Sequence, residues 1–324
     1  MALSEFDLIR NYFSRAGRVR DDVSLGIGDD CALLQVPDGF ELAVSIDTLV
    51  EGVHFFPGAD PESLGYKSLA VNLSDLAAMG AKPAWATLAL TLPKADPLWL
   101  EAFSRGFAGL ANRYGVQLIG GDTTRGPLNI SVQVHGFVAP GEALRRNAAS
   151  PGDLIYVTGD LGDAGLALLA EQGDSLPSGL GRDQINRLHR PEPRLAAGMA
   201  MAGIARGGID ISDGLLSDLG HICEASGVGA TVELEKIPLS SAVRSYIEQL
   251  NDWSLPLAAG DDYELCVTVP SRYRGEIEAV ATQLDVNLTQ IGTIGAGDAV
   301  CCLRADGEEL VMESRGFEHF TGGR

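Results

Sequence analysis

Lysine is scarce in this chain. Of 24 basic residues only Lys67, Lys82, Lys94 and Lys236 are lysines, against 44 acidic residues. The resulting net charge of −20 argues against nucleic acid or an anionic membrane as partner. An anionic small ligand would have to be neutralised by metal ions and a few arginines. Cysteine is equally uninformative as a motif. Cys31, Cys223, Cys266, Cys301 and Cys302 form no C-x-x-C pair, so a zinc site is not indicated, and reduced thiols in a cytoplasmic protein are expected. The longest apolar region, residues 69–92, is interrupted by Asp75, Lys82 and Pro83, too broken to span a bilayer. The N-terminus shows no basic-then-apolar run of the secretory kind.

Two common nucleotide-binding signatures are also missing. There is no G-x-x-x-x-G-K-[S/T] loop, which removes P-loop chemistry. Gly159, Gly162 and Gly165 follow an apolar strand, but their spacing is G-x-x-G-x-x-G rather than the dinucleotide G-x-G-x-x-G.

What is present is an ordinary globular balance, 45% hydrophobic and 21% charged over 324 residues, enough for two domains each with its own core. Ser4 as N-cap with Phe6, Ile9 and Phe13 at helical spacing predicts a short N-terminal helix. Strands are expected at 41–48, 84–92, 116–119 and 127–138, with helices over 61–80 and 97–114. The first helix opens on Asp60-Pro61 and stops at Gly80 ahead of Pro83. Its core stripe is Leu69, Leu73, Leu76 and Met79/Gly80, while Asn72 and Asp75 share another face. This alternation implies an α/β domain over residues 1–149. After a Pro/Gly/Ala/Ser-rich boundary at 140–152, an α+β domain is expected over 150–324. Its strands fall at 154–158, 229–234, 263–269, 288–294 and 299–303. Its helices fall after Gly159–Gly165, near 193–205 and near 213–226, and 171–183 reads as a mobile loop.

Chemistry is signalled by five Asp-centred clusters: Gly26-Ile-Gly-Asp-Asp30, Ser45-Ile-Asp-Thr48, Asn72-Leu-Ser-Asp75, Gly120-Gly-Asp-Thr-Thr124 and Asp210-Ile-Ser-Asp-Gly214. Each alone also fits a turn, strand end or helix cap. Asp75 is the hardest to explain that way, because it falls inside a helix, where Asp has poor propensity. Brought together, the carboxylates would repel unless cations bridged them. The set therefore points to divalent metals and phosphate. Arg145-Arg146 is either a solvated pair or a phosphate clamp. His54 reads by default as a surface histidine, and His135, His189, His221 and His319 as structural.

The blocks GIGDDCALL (26–34), SIDTLVEGVHF (45–55), AVNLSDLAAMGAKP (70–83), LIGGDTTRGPL (118–128), GIDISDGLLSDLGHI (208–222) and GDDYEL (260–265) closely resemble, in the same order, those of the bacterial thiamine-monophosphate kinase family. That family lies in the aminoimidazole-ribonucleotide synthetase superfamily, and the likeness runs nearly end to end. It implies a two-domain fold whose N-terminal sheet pairs across a homodimer and whose C-terminal α+β domain completes the active site. It also implies ATP, several Mg²⁺ ions, and direct in-line phosphoryl transfer to thiamine monophosphate. Carried over by position, Asp30, Ser45, Ile46, Asp47, Asp75, Asp122, Asp210 and Asp213 would serve metals. Gly121, Asp122, Arg146 and Ser212 would contact ATP, and His54, Asp261 and Phe317 would face thiamine monophosphate. No residue is implied as acid or base; Asp75, Asp122, Asp210 and Asp213 would act electrostatically. Three positions depart from the family pattern. Ile46 stands where Thr is common and could offer only its backbone. Asp261 replaces Glu, and Phe317 replaces Tyr or Trp. The competing readings are another ATP-dependent synthetase of the superfamily, or a sensor of nucleotide or thiamine phosphate without turnover.

Overall fold

A computed structural model describes residues 5–14, 16–173, 181–312 and 314–319. Ser4, and residues 174–180 of the expected loop, lie outside them. The chain divides into two compact units, residues 1–76 with 81–140, and residues 77–80 with 141–324. Residues 141–149 thus count with the second unit, where Leu144 and Ala149 are buried.

In the first unit the elements are α1 (Glu5–Leu8, continued by a π-helical turn Ile9–Phe13), β1 (Val23–Leu25), β2 (Leu33–Leu34), β3 (Glu41–Val50), α2 (Pro61–Ala78), β4 (Lys82–Leu92), α3 (Pro97–Tyr114), β5 (Gln117–Arg125) and β6 (Asn129–Val138). The four long strands form a mixed sheet in the order β3-β6-β4-β5, with β4 and β5 parallel. The helix starts follow from local chemistry. The Asp60 carboxylate accepts the N–H of Ser63 at 2.9 Å with Pro61 in the first turn. The Asp96 carboxylate accepts that of Leu98 at 3.1 Å ahead of Pro97. Gly115, left-handed at φ 68°, ends α3.

Leu69, Leu73 and Leu76 of α2 are fully buried, as are Phe103 and Phe107 of α3. The two helices cross backbone to backbone. A Cβ on Gly106 would lie 1.9 Å from the Glu62 carbonyl oxygen, and one on Gly65 would lie 2.1 Å from that of Phe103. On β3, the alternate residues Leu42, Val44 and Ile46 are 43%, 50% and 61% exposed, an apolar strip on an edge strand.

The second unit holds β7 (Asp153–Thr158), α4 (Asp163–Gln172), α5 (Arg182–His189), α6 (Leu195–Met201), β8 (Gly207–Asp210), α7 (Leu215–Ser226), β9 (Gly229–Glu233), α8 (Ser241–Leu250), α9 (Ser254–Ala258), β10 (Leu265–Pro270), α10 (Arg274–Leu284), β11 (Leu288–Gly295), β12 (Val300–Leu303) and β13 (Glu309–Leu310). Its sheet runs β13-β12-β9-β11-β7-β10-β8, antiparallel except between β9 and β12. Ile155, Val157, Ile209, Leu219, Ile222 and Val232 are among the side chains of its core. Among the described residues no helix is long and apolar enough to cross a membrane.

Most expected elements are present, with one shift that matters for the site. The strand expected at 116–119 continues to Arg125, because residues 120–125 pair in parallel with β4. Gly121 and Asp122 therefore lie inside a strand. Replacing Gly106 by Ala should destabilise the protein by about 3 kcal/mol, the scale of overpacking a close contact. Urea unfolding checks this, and an unchanged midpoint would show that α2 and α3 can part at no cost.

Candidate active site

In the first unit candidate residues come together where β3 passes α2. The alternation of β3 turns Ser45 and Asp47 to one side, and the helical i, i+3 spacing puts Asn72 and Asp75 on one face. The two spacings meet. The Ser45 hydroxyl donates to the Asp75 carboxylate, and the Asp47 backbone N–H donates to the Asn72 side-chain oxygen at 2.9 Å. Asn72 is itself held, giving an N–H to the Ser68 carbonyl at 2.9 Å. This explains an Asp inside a helix: Asp75 faces a strand hydroxyl. Asp30 is exposed, its N–H given to the Asp29 carboxylate at 2.8 Å.

His54 is half-buried in the turn after β3. Its Nδ1 accepts the Val50 N–H at 3.0 Å, which places the proton of the neutral ring on Nε2. On β5, Gly121 has φ 151°, and a Cβ there would come within 1.9 Å of the Leu88 carbonyl oxygen. Only glycine fits, and Asp122 follows it as an exposed residue opposite Ala89.

In the second unit Asp210 ends β8, buried and paired with Leu265. The loop after it carries Ser212 and Asp213. Its carbonyls accept the N–H of Asp261 at 2.8 Å and of Phe317 at 3.1 Å, so two distant segments are laced to one turn. Burial pushes the Asp213 carboxyl up; the charges of His221, His319 and Arg146 pull it down and that of Asp261 adds to the rise. These groups are thus electrostatic neighbours. Phe317 is exposed and packs edge-on against His319 at 4.9 Å. A cleft of about 920 Å³ lies here, lined by Asp213, Ser217, His221, Ala258, Arg315 and Phe317 among others.

The GDDYEL block splits its acids between two surroundings. Asp261 and Tyr263 are held at φ 62° and 51°, a left-handed backbone that non-glycine residues adopt at a cost. Asp261 remains half-buried beside Asp213, whereas Asp262 and Glu264 turn inward. The Asp262 carboxylate accepts the Gly162 N–H with both oxygens at 3.0 Å. Burial, only partly countered by that bond, drives its carboxyl well above the ordinary range. Glu264, completely buried, accepts from Thr158 at 2.6 Å, Arg187 at 2.9 Å and Arg194 at 2.6 and 2.5 Å.

Local pattern reading missed Asp262, Glu264 and their arginine partners, as well as Asp218. The Asp218 carboxylate accepts three backbone N–H groups from residues 212–214. Burial and the charge of Asp213 push Asp218 up to about 7, against the pull of those donors. The available signal was an Asp set among Leu215, Leu216 and Leu219, where a charge needs a partner.

Among the described residues no three His, Cys, Asp or Glu side chains gather into a metal-holding group. The oxygens come instead as small sets such as Ser45 with Asp75. The pairing of Ser45 with Asp75 suits Mg²⁺, which binds one or two carboxylates together with substrate phosphates and keeps several waters.

Replacing Glu264 by Gln leaves two buried-side guanidinium groups short of a counter-charge. We expect a loss of about 3 kcal/mol of stability, measured by urea unfolding. A change below about 0.5 kcal/mol would show that the cluster contributes little.

Comparison with known proteins places these features in context. Residues 28–138 match the N-terminal domain family, and residues 150–301 the C-terminal domain family, of AIR synthase related proteins. The thiamine-monophosphate kinase of Escherichia coli (strain K12) is 50% identical, over 99% of this chain and 99% of that protein. The crystal structure of thiamine-monophosphate kinase from Stenotrophomonas maltophilia K279a superposes with a TM-score of 0.82 at 47% identity, covering 90% of this chain and 93% of that one. A structure of AaThiL complexed with AMPPCP and TMP gives 0.76 at 31% identity, covering 88% and 89%.

Proposed function

This chain belongs to the thiamine-monophosphate kinase family, and we infer that it transfers the γ-phosphoryl group of ATP to thiamine monophosphate, giving thiamine diphosphate and ADP. The observation that carries this reading is the full-length likeness, 50% identity over 99% of both chains.

A phosphate monoester has a second pKa near 6, so the acceptor is already largely a dianion at neutral pH. No protein base is needed to activate it. An acceptor oxygen attacks the γ-phosphorus in line while the bond to the ADP oxygen breaks, and the electron pair leaves with ADP. The difficulty is charge. Two unit charges 4 Å apart repel by about 4 kcal/mol at an effective dielectric of 20. Magnesium, when bound by Asp30, Ser45, the Ile46 backbone, Asp47, Asp75, Asp122, Asp210 and Asp213, would supply the neutralising charge.

The chain's own groups position the reactants. Gly121 and Asp122 would contact the nucleotide from β5, where Gly121 lets that strand lie against Leu88. Arg146 offers a forked donor to phosphate, and Ser212 a hydroxyl. The His54 Nε2–H suits an acceptor-phosphate oxygen. Asp261 sets a carboxylate against the cationic thiazolium, and Phe317 offers an aromatic face. Unpaired thiols at all five cysteines support a reducing, cytoplasmic location. The exposed Leu42, Val44 and Ile46 strip on β3 supports a homodimer joined through that sheet.

Asp75→Asn should lower kcat by about two orders of magnitude, the scale for losing a key electrostatic contact, with little change in thermal midpoint. Thiamine diphosphate formation, followed by chromatography, measures it; near-normal turnover would remove Asp75 from the metal set. Val44→Lys should convert a dimer to monomers in sedimentation velocity. A monomeric wild type, or a variant that stays dimeric, would reject the interface.

A further inference from the structure

Asp218 lies in the first turn of α7, only 2% exposed, with the buried side chains of Leu215, Leu216 and Leu219 next to it in the helix. A carboxylate in such surroundings is retained only where its oxygens are engaged. One oxygen, Oδ2, accepts the N–H groups of Ser212, Asp213 and Gly214, each at 3.1 Å. Those three donors are consecutive and make up the turn between β8 and α7. The same turn uses its carbonyls on the other side, Ser212 toward the Asp261 N–H and Asp213 toward the Phe317 N–H. One carboxylate therefore fixes a turn to which four residues assigned to nucleotide, metal and acceptor are attached.

We propose that Asp218 is a positioning residue for phosphoryl transfer. It orients Ser212 and Asp213 through their backbone N–H groups and, through their carbonyls, sets where Asp261 and Phe317 stand. It touches no reactant itself. The proposal rests on the kinase reading for its rate arm, whereas its binding arm does not.

The test compares wild type with D218A and with D218N, which keeps the side-chain volume. Three quantities are measured: the Kd for magnesium with the non-hydrolysable analogue AMPPCP, kcat for thiamine monophosphate phosphorylation, and the thermal midpoint. For D218A we expect a Kd raised at least tenfold and kcat lowered about 100-fold, the scale of a small misplacement of reacting groups. D218N should show smaller losses of both kinds while unfolding cooperatively near the wild-type midpoint. A purely structural residue would lower the midpoint and leave Kd and kcat of the folded protein unchanged. That outcome overturns the proposal, as does a D218N protein that cannot fold. If D218A fails to fold, D218N alone decides. Wild type that binds the analogue yet makes no thiamine diphosphate rejects the kinase reading, and the Kd comparison still decides the role of Asp218. Wild type that does not bind it overturns both.

Discussion

Repulsion between two phosphate-bearing reactants is the constraint to which the chain answers. A protein could neutralise phosphate with lysines, and this one has four in 324 residues. It is instead strongly acidic, and its acids are placed in small groups beside hydroxyls and glycines. Such surfaces repel polyphosphate in the absence of divalent cations and bind it in their presence. On the proposed reading, acidity, scarce lysine and metal-assisted phosphoryl transfer are one property.

Placement is achieved by matching periodicities and by buried scaffolding. Along β3 every second residue faces the same way, and along α2 every third or fourth does. Ser45 and Asp47 meet Asp75 and Asn72 because those repeats are aligned. In the second unit the scaffold is a set of buried acids, each with a defined set of donors. Asp262 holds Gly162, Glu264 holds Arg187 and Arg194, and Asp218 holds the turn at 212–214. Within the GDDYEL block Asp261 is half-buried, whereas Asp262, Tyr263, Glu264 and Leu265 are buried. The backbone is left-handed at Asp261 and at Tyr263, on either side of the buried Asp262.

Much of this was legible before any coordinates. Asp60-Pro61 and Asp96-Pro97 mark helix starts because capping and proline act locally, and both helices begin at those prolines. The Asp-centred blocks stand out by their number, five in one chain, since each alone also fits a turn or a cap. Less was legible where long-range pairing decides. β8 is four residues beginning Gly-Gly, too short and too weak in propensity to announce itself, yet it pairs with β10 and carries Asp210. β5 runs past Gly120-Gly121 because β4 offers a parallel edge, against the tendency of glycine to end a strand. None of α5, α8, α9 and α10 is among the elements expected from the sequence pattern, although α5 and α8 are clearly amphipathic. Glu264 meets Arg187 and Arg194 across 77 and 70 residues of chain, and no local spacing encodes that.

The most direct test is the dependence of thiamine diphosphate formation on free Mg²⁺ at a fixed, saturating concentration of the magnesium–ATP complex. If carboxylate-held cations beyond the one carried by ATP are needed for the anions to meet, the rate must keep rising steeply, with more than first-order dependence on free Mg²⁺, before it saturates. A rate already maximal with the magnesium–ATP complex and indifferent to further Mg²⁺ would contradict the account.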